Sequence, residues 1–238
     1  MRPNLARDGV ATYDGDGDET GVAGVSGRTE ADIDAGISPE AGAPAGAARL
    51  GPGTLVLVVG PSGAGKDTLI REACRRLAGR DDIRFARRRI TRPVDATEDH
   101  VSLDAAAFAR GVAAGEFPLH WQANGLAYAL GPEVAADLAA GRMVVANGSR
   151  GAVAEARRRF AAVRIVMVTA PPELLAARIA ARGREGAEDA ARRLKREPAL
   201  PVPPDATIVN DGVPEAGGAR LADVLARLAE NCQGRGPR

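Results

Sequence analysis

The sequence GPSGAGKDT at residues 60–68 decides how the rest of this chain is interpreted. It follows LVLVV at 55–59, a short apolar run that predicts a buried strand of a parallel sheet. Apolar residues then recur at helical spacing from Leu69 to Leu77. A glycine-rich turn between a strand and a helix can be a plain connection, but Gly60, Gly65 and Lys66 have P-loop spacing. The stretch therefore predicts a phosphate-binding loop.

A P-loop binds phosphate through its backbone. Glycines allow successive N–H groups to close around the phosphates, and the helix N-terminus adds a partial positive charge. The lysine reaches the β- and γ-phosphates of a nucleotide. The residues predicted to contact a nucleotide are therefore those of the loop: Gly60, Pro61, Ser62, Gly63, Ala64, Gly65, Lys66, Asp67 and Thr68.

Asp67 departs from the usual P-loop pattern, in which Ser or Thr follows the lysine and supplies a hydroxyl to Mg²⁺. A carboxylate is also an oxygen ligand for a hard cation, so Asp67 is predicted to serve Mg²⁺ directly or through a water. Thr68 is an alternative source of a hydroxyl, one position further along the helix. The carboxylate repels a triphosphate, and Mg²⁺ and nearby arginines must offset that repulsion.

Composition places the chain among globular proteins with one domain and an additional tail. It has 238 residues, of which 45% are hydrophobic and 3% aromatic, and a formal net charge of +1. This near-neutral charge argues against a dedicated nucleic-acid binder. Lys66 and Lys195 are the only lysines among 32 basic residues, so a lysine in the loop is not expected by chance.

Cellular location is expected to be the cytoplasm. The N-terminus has no basic region followed by an apolar run, and no apolar run is long enough to cross a bilayer. Cys74 and Cys232 lack metal-ligand spacing and form no disulfide framework. Cys74 lies on an apolar helix face in the sequence pattern, so we expect it in the core.

Residues 1–50 differ from the rest of the chain in composition. They contain nine acidic and four basic residues and almost no bulky apolar ones, so they cannot offset the entropy cost of folding. The run DGDGDE at 14–19 lacks the sixth-position Gly and the twelfth-position Glu of a calcium loop. We therefore expect a disordered acidic extension at 1–50, a domain at 51–232 and a flexible tail at 233–238.

Strand and helix patterns alternate after residue 50. Strands are predicted at 55–59, 143–147, 163–170 and 206–211, and helices at 66–77, 132–141, 151–160, from 171 and at 215–230. Strands separated by helices form a parallel sheet covered on both faces. The expected fold class is therefore α/β, with three layers and a central parallel sheet.

Short motifs in order along the chain resemble the guanylate kinase lineage of P-loop kinases, and within it the ribose 1,5-bisphosphate phosphokinase (PhnN) family. The resemblance runs from about Leu55 to Leu228. It rests on GKD at 65–67, ITRP at 90–93, WQANGLAY at 121–128, NGSR at 147–150, RGRE at 182–185 and NDG at 210–212. An Asp after the loop lysine is typical of this family. The resemblance implies a guanylate kinase-like fold with a small acceptor-binding region and a lid.

The positions at which this chain differs from guanylate kinases are those that contact the guanine base, whereas those that contact the acceptor phosphate are kept. Leu119 stands where those enzymes read guanine with a Glu, and Asn147 stands at a second acidic position. Losing such a charged partner costs roughly 2–5 kcal/mol of discrimination. Arg92 and Tyr128 match residues that contact the acceptor phosphate. The resemblance thus implies a kinase that binds an acceptor phosphate without reading guanine.

The family implies transfer of the γ-phosphoryl of ATP, with Mg²⁺, to ribose 1,5-bisphosphate, giving 5-phosphoribosyl 1-diphosphate and ADP. It implies catalytic roles for Lys66, Arg92, Arg182 and Arg184, the last two in a lid. It implies contacts to the sugar phosphate from Arg92, Asn124, Tyr128, Asn147, Ser149 and Arg150. The alternatives are a solvated charged helix at the lid, a guanylate kinase, and a non-catalytic interaction module. The oligomeric state does not follow from the sequence.

Overall fold

A ten-residue strand, β1 (Leu50–Val59), leads directly into the glycine-rich loop. The computed structural model describes residues 48–93, 99–181 and 199–233. The other strands within these ranges are β2 (Ile83–Phe85), β3 (Arg88–Ile90), β4 (His100–Ser102), β5 (Leu119–Ala123), β6 (Leu126–Leu130), β7 (Met143–Asn147), β8 (Phe160–Thr169) and β9 (Ala206–Val209).

Helices connect most of these strands. They are α1 (Lys66–Arg76), α2 (Ala105–Ala113), α3 (Pro132–Ala139), α4 (Val153–Arg159), α5 (Pro172–Ala180) and α6 (Pro214–Gln233). A short 3₁₀ turn at Arg150–Ala152 precedes α4. Proline occupies the first turn of α3 and α5, where its missing N–H costs no helical hydrogen bond.

The main sheet is parallel throughout, with the strand order β2-β7-β1-β8-β9. β1 lies between β7 and β8, and Val58 pairs with Asn147 on one side and Val166 on the other. Parallel strands end at one edge of a sheet. The loop after β1 therefore opens beside the ends of β7, β8 and β9, the usual place for a ligand in such folds.

Two cores cover the two faces of this sheet. Alternate residues of β1 point to opposite faces: Val56 and Val58 pack in one core, and Leu55, Leu57 and Val59 pack in the other. The first core includes residues of α1 and α6, and the second includes residues of α3 and α4. The predicted three-layer α/β fold with a central parallel sheet is confirmed.

A second sheet, with the strand order β4-β3-β6-β5, forms the small region before α3. β3 runs parallel to β4 and antiparallel to β6, while β5 and β6 form a hairpin. Phe108 of α2 and Phe117 pack in a separate small core beneath β6. Leu119 and Leu130 instead join the second core of the main sheet, so the two sheets share apolar contacts.

The sequence patterns located most of the main sheet and missed most of the small one. Strands were not predicted at β2 to β6, because strands of three to five residues carry little periodicity unless, like β7, they are continuous apolar runs. The helix α2 was not predicted either. The expectation that Cys74 is buried was wrong: the side chain is exposed, because α1 turns Leu69, Glu72 and Ala73 toward its neighbours instead.

The domain boundaries remain predictions. β1 begins at Leu50 and α6 ends at Gln233, one residue outside the expected domain limits at each end. Residues 1–47 and 234–238 lie outside the described ranges, and so do Arg182 and Arg184 of the expected lid. None of the helices that the structure describes is both long enough and apolar enough to cross a bilayer.

Candidate functional site

Three glycines shape the loop between β1 and α1. Gly60, Gly63 and Gly65 have positive φ angles of 146°, 81° and 85°, which side chains disfavour. A Cβ on Gly60 would overlap the carbonyl oxygen of Val168 in β8. A Cβ on Gly65 would lie 2.5 Å from the amide nitrogen of Asn210. The glycines are therefore required both by the backbone conformation and by the close approach of neighbouring strands.

Lys66 is the first residue of α1, and its ammonium group folds back over the loop. Nζ donates to the carbonyl oxygens of Gly60 and Pro61 at 2.7 and 3.1 Å. No side chain caps the N-terminus of this helix by a hydrogen bond. The first-turn amides and the lysine thus place positive charge at one point, which suits the terminal phosphates of a nucleotide.

Asn210, at the end of β9, supports the loop from behind. It is 4% exposed, and its amide nitrogen donates to the carbonyl oxygen of Ala64 at 2.8 Å. The backbone carbonyl oxygen of Asn210 accepts a hydrogen bond from Arg178 of α5 at 3.1 Å. Asn210 therefore fastens the middle of the loop to β9 and α5.

Asp67 is held by two donors on one carboxylate oxygen. Oδ1 accepts from Arg88 Nη2 at 3.0 Å and from Asn147 Nδ2 at 2.6 Å. Asp67 Oδ2 accepts no hydrogen bond from the described residues. These contacts join α1 to β3 of the small sheet and to the end of β7. One oxygen is thus fixed in place, and the other accepts nothing from the part of the chain that the structure describes.

Asn147 combines burial with an unsatisfied atom. The residue is 5% exposed, and its Oδ1 has no hydrogen-bond partner in the part of the chain that the structure describes. Because Asp67 only accepts hydrogen bonds, the amide nitrogen must face it, which fixes the orientation of Oδ1. A buried acceptor without a partner is costly, so this atom suits a hydroxyl donor from a ligand.

Aromatic residues of the small sheet extend the contacts of Arg88. The guanidinium of Arg88 lies 5.6 Å from the ring centroid of Tyr128, in cation–π range. The ring of Tyr128 stacks on Trp121 with centroids 5.6 Å apart and planes 7° apart. A continuous row of contacts therefore runs from the β5–β6 hairpin to the P-loop helix, through Trp121, Tyr128, Arg88 and Asp67.

Arg92 follows β3, and its backbone is anchored to the small sheet. Its carbonyl oxygen accepts from Ser102 Oγ at 2.8 Å and lies 3.2 Å from Nε2 of the buried His100. The preceding residue, Thr91, exchanges hydrogen bonds with Ala127, next to Tyr128 in β6. The structure thus places Arg92 and Tyr128, the two residues predicted to contact the acceptor phosphate, in the same region.

The other predicted substrate residues lie in two places. Ser149 caps the 3₁₀ turn by accepting from the Gly151 amide at 3.2 Å, and Arg150 begins that turn three residues after Asn147. Partial burial lowers the pKa of the Arg150 guanidinium, although the group stays charged. Asn124 lies apart from these, exposed at the β5–β6 turn.

Comparison with known proteins decides the family. An AAA domain family model matches residues 55–197. Over 170 residues the chain is 54% identical to ribose 1,5-bisphosphate phosphokinase PhnN from Methylobacterium radiotolerans, covering 71% of this chain and 96% of the relative. The chain belongs to the PhnN family. The PhnN protein of Acidiphilium cryptum is 51% identical over 178 residues, covering 75% of this chain and 95% of that one.

A solved structure supports the fold of this PhnN family member. Guanylate kinase from Anaplasma phagocytophilum aligns with a TM-score of 0.53 at 20% identity, covering 74% of this chain and 86% of that chain. At this identity the likeness concerns the fold alone. The predicted family and the guanylate kinase-like P-loop fold are confirmed.

Arg88 and Asn210 are residues of this PhnN site that sequence reasoning did not assign. Arg88 is one of three consecutive arginines, and nothing in a run of identical residues distinguishes the one that reaches Asp67. Asn210 belongs to the NDG motif at 210–212, so a signal was present, but its contact with the loop depends on where β9 lies in the sheet.

Proposed function

We propose that this protein transfers the γ-phosphoryl group of ATP to the 1-phosphate of ribose 1,5-bisphosphate. The products are 5-phospho-α-D-ribose 1-diphosphate and ADP. The observation that carries this proposal is an intact P-loop, with Lys66 and its three positive-φ glycines, in a chain of the PhnN family. ATP binding by the loop residues, Gly60 to Thr68, is part of the proposal.

The chemistry requires positioning and charge neutralisation, not a general base. An oxygen of the 1-phosphate attacks the γ-phosphorus, and the bond to the β–γ bridging oxygen breaks as ADP leaves. The acceptor phosphate is already ionised at neutral pH, because its second pKa is about 6. Amides of the loop and Lys66 bind the transferring group, which accounts for most of the catalysis expected in such reactions.

Asp67 is the proposed protein ligand of Mg²⁺. Within the described ranges no group of three or more His, Cys, Asp and Glu side chains could hold a metal. Mg²⁺ commonly binds through one or two carboxylates together with substrate phosphates and water, and the open Oδ2 of Asp67 fits that donor set. When bound, Mg²⁺ supplies charge neutralisation at the β- and γ-phosphates.

The acceptor is proposed to bind between the end of β7 and the small sheet. Arg92 and Tyr128 contact its phosphate, and the unsatisfied Oδ1 of Asn147 accepts a ribose hydroxyl. Ser149, Arg150 and Asn124 complete the proposed contacts, and Arg182 and Arg184 are proposed to close over the phosphoryl group. Charged sugar phosphate and nucleotide are cytoplasmic metabolites, so we propose the cytoplasm as the compartment.

A guanylate kinase is not favoured. Leu119, at the position of the guanine-reading Glu, is fully buried among apolar residues and offers no hydrogen-bond acceptor from its side chain. Asn147 presents an amide at the second position, and that amide is bound to Asp67. The described site therefore lacks both of the carboxylates that would read a guanine.

A coupled ADP-release assay tests the proposed function. With Mg-ATP and the full chain, we expect ribose 1,5-bisphosphate to support turnover with kcat/KM at least about 100-fold above that for GMP, since two carboxylate contacts to guanine are missing. Product analysis by ³¹P NMR should show a new diphosphate. Preference for GMP would contradict the proposal, and Mg-ATP binding without turnover on either substrate would favour a non-catalytic module.

The metal role of Asp67 predicts a change in Mg²⁺ dependence. In Asp67→Ala, we expect the Mg²⁺ concentration for half-maximal activity to rise about tenfold, because a carboxylate ligand is lost. Asp81→Ala is the matched control, since the Asp81 side chain is 97% exposed and lies outside the motifs of the site. An unchanged Mg²⁺ titration in Asp67→Ala would remove this residue from the surroundings of the metal.

A further inference from the structure

Three consecutive arginines, Arg87, Arg88 and Arg89, have three different acidic partners. Arg87 pairs with Asp99, next to β4, and Arg89 pairs with Glu133 at the start of α3. Arg88 instead crosses to Asp67 on the P-loop helix. Its side chain is 11% exposed, against 57% for Arg87. The strand turns the middle arginine away from its neighbours and toward the nucleotide loop.

The position of Arg88 is fixed on two sides. Its Nη2 donates to Asp67 Oδ1, and its guanidinium plane lies near the ring of Tyr128. Tyr128 is itself stacked on Trp121. A planar guanidinium suits this environment better than an ammonium, because it can stack and donate at the same time. The positive charge is therefore held beside the carboxylate.

Asp67 creates an electrostatic problem that Arg88 is placed to solve. A carboxylate in the first turn of the P-loop helix lies close to the site of a polyphosphate, and like charges at that range disfavour binding when partly shielded from water. In the usual loop, a neutral Ser or Thr creates no such repulsion. A nearby fixed cation cancels the added negative charge before any metal binds.

We propose that Arg88 is a positioning residue of the nucleotide site. It neutralises Asp67 and fixes the Oδ1 atom of that carboxylate, so that the aspartate-containing loop accepts the phosphates of a nucleotide. The proposal rests on the proposed function only for the identity of the ligand, an adenine nucleotide. It gives a residue of the small sheet a role in binding the nucleotide.

Calorimetric titration of the full chain with ADP, in EDTA and in excess Mg²⁺, tests this proposal. In EDTA, Arg88→Met should weaken ADP binding about tenfold or more, because Asp67 is then uncompensated. In Mg²⁺ the loss should shrink to about threefold, because the cation offsets the same charge. Arg87→Met removes a neighbouring exposed charge and should stay within about twofold of the wild type under both conditions.

Asp67→Asn gives the decisive comparison. Alone, it should tighten metal-free ADP binding by about threefold or more, since the carboxylate no longer repels the phosphates while Arg88 keeps its positive charge. In Asp67→Asn with Arg88→Met, metal-free affinity should return to within about threefold of the wild type. A merely structural Arg88 predicts no such recovery, so a double variant as weak as Arg88→Met would overturn the proposal.

Further variants keep the test valid if Arg88→Met fails to fold. Arg88→Lys retains the charge and should bind metal-free ADP within about threefold of the wild type; a tenfold loss would contradict charge compensation. Unchanged or weaker metal-free binding in Asp67→Asn would contradict it too. If the wild type itself binds no ADP with or without Mg²⁺, the proposed function fails. If the wild type binds ADP and Arg88→Met binds it equally well without metal, only the proposed role of Arg88 fails.

Discussion

Asp67 occupies a position where a P-loop normally has a hydroxyl, and its surroundings explain how a carboxylate is accommodated. Arg88 and Asn147 both donate to Oδ1 and leave Oδ2 without a donor among the described residues. Charge-assisted hydrogen bonds of this kind are shorter and stronger than neutral ones. The residue is thus held in one orientation by two other elements, which a loop hydroxyl would not require.

Lys66 is expected to be indispensable for phosphoryl transfer. Lys66→Ala should lower kcat/KM by about 100-fold or more, because a charged group aimed at the transferring phosphoryl is lost. Its hydrogen bonds in the structure are to Gly60 and Pro61 of its own loop, so the fold should persist. The coupled ADP-release assay measures the first effect.

Thermal unfolding provides the control for Lys66→Ala, with Tm expected within about 2 °C of the wild type. An active variant would show that Lys66 has been assigned the wrong role. A collapsed Tm would show that the lysine serves mainly to hold the loop together.

His120 is predicted to make stability depend on pH. Partial burial lowers the pKa of its imidazole, the positive charge of Arg159 lowers it further, and Glu155 acts in the opposite direction. The ring also packs edge-on against Phe108. The unfolded chain therefore binds a proton more readily than the folded one, and stability falls as pH drops below about 6.5, the ordinary value for His.

His120→Gln should remove this component of acid destabilisation. We compare the free energy of unfolding of the two proteins between about pH 8 and pH 5. Below about pH 6.5, the wild type should lose more of this free energy than the variant does. Urea titration at each pH measures it. Parallel pH profiles for the two proteins would show that His120 contributes no such dependence.

At the scale of elements, the P-loop owes its shape to neighbours far away in sequence. β8 closes against Gly60, and α5 lies against Gly63 through Leu175 and Ile179. Asn210, directly after β9, donates a hydrogen bond to the carbonyl oxygen of Ala64. A flexible glycine-rich segment becomes rigid only where such contacts limit its conformations, and a rigid loop binds phosphate with less entropy lost on binding.

The β5–β6 hairpin offers a second reason for Asn124. Asn124 and Gly125 have φ angles of 53° and 70° and form a two-residue turn between the paired strands. Turns with two positive φ values strongly favour Asn-Gly, so turn geometry alone accounts for this residue. Its proposed contact with the sugar phosphate remains a separate prediction.

Asn124→Gly separates the two roles. Glycine keeps the turn and removes the side chain, whereas Asn124→Ala strains the turn and should cost roughly 1 kcal/mol of stability. If Asn124 binds substrate, Asn124→Gly should raise KM for ribose 1,5-bisphosphate several-fold with Tm nearly unchanged. Steady-state kinetics and thermal unfolding of both variants measure this, and a normal KM in Asn124→Gly would leave only the turn role.

At the scale of the whole molecule, two sheets of different character share one site. The parallel sheet supplies the loop, Asn147 and Asn210, while the small mixed sheet supplies Arg88, Arg92 and Tyr128. Leu119 and Leu130 pack in the core of the large sheet and so hold the small one against it. The proposed donor and acceptor sides of the site therefore meet where the two sheets join.

Deletion of residues 1–47 is expected to leave the domain intact. The composition of that segment predicts little capacity to form a core, and the described strand contacts of β1 begin at Leu50, which pairs with Phe160. We expect Tm within about 2 °C and kcat/KM within about twofold of the full chain. Differential scanning calorimetry and the ADP-release assay measure these.

Deletion through residue 53 is the matched control for this truncation. It removes the first four residues of β1, including the tightly packed Gly53, and should lower Tm clearly. A large fall in Tm after removal of residues 1–47 alone would show that the domain extends further toward the N-terminus than the composition indicates.

The sequence by itself determined the P-loop, the parallel sheet and the family, because these depend on short motifs and on apolar runs long enough to show a period. The family resemblance also predicted Arg92 and Tyr128 as contacts of the acceptor phosphate, and that role stays a prediction. Only the tertiary structure decided that Arg88 and Asn147 meet at Asp67, across 21 and 80 residues of sequence. Such contacts arise where strand order and the packing of two sheets bring distant side chains together, and no local pattern records them.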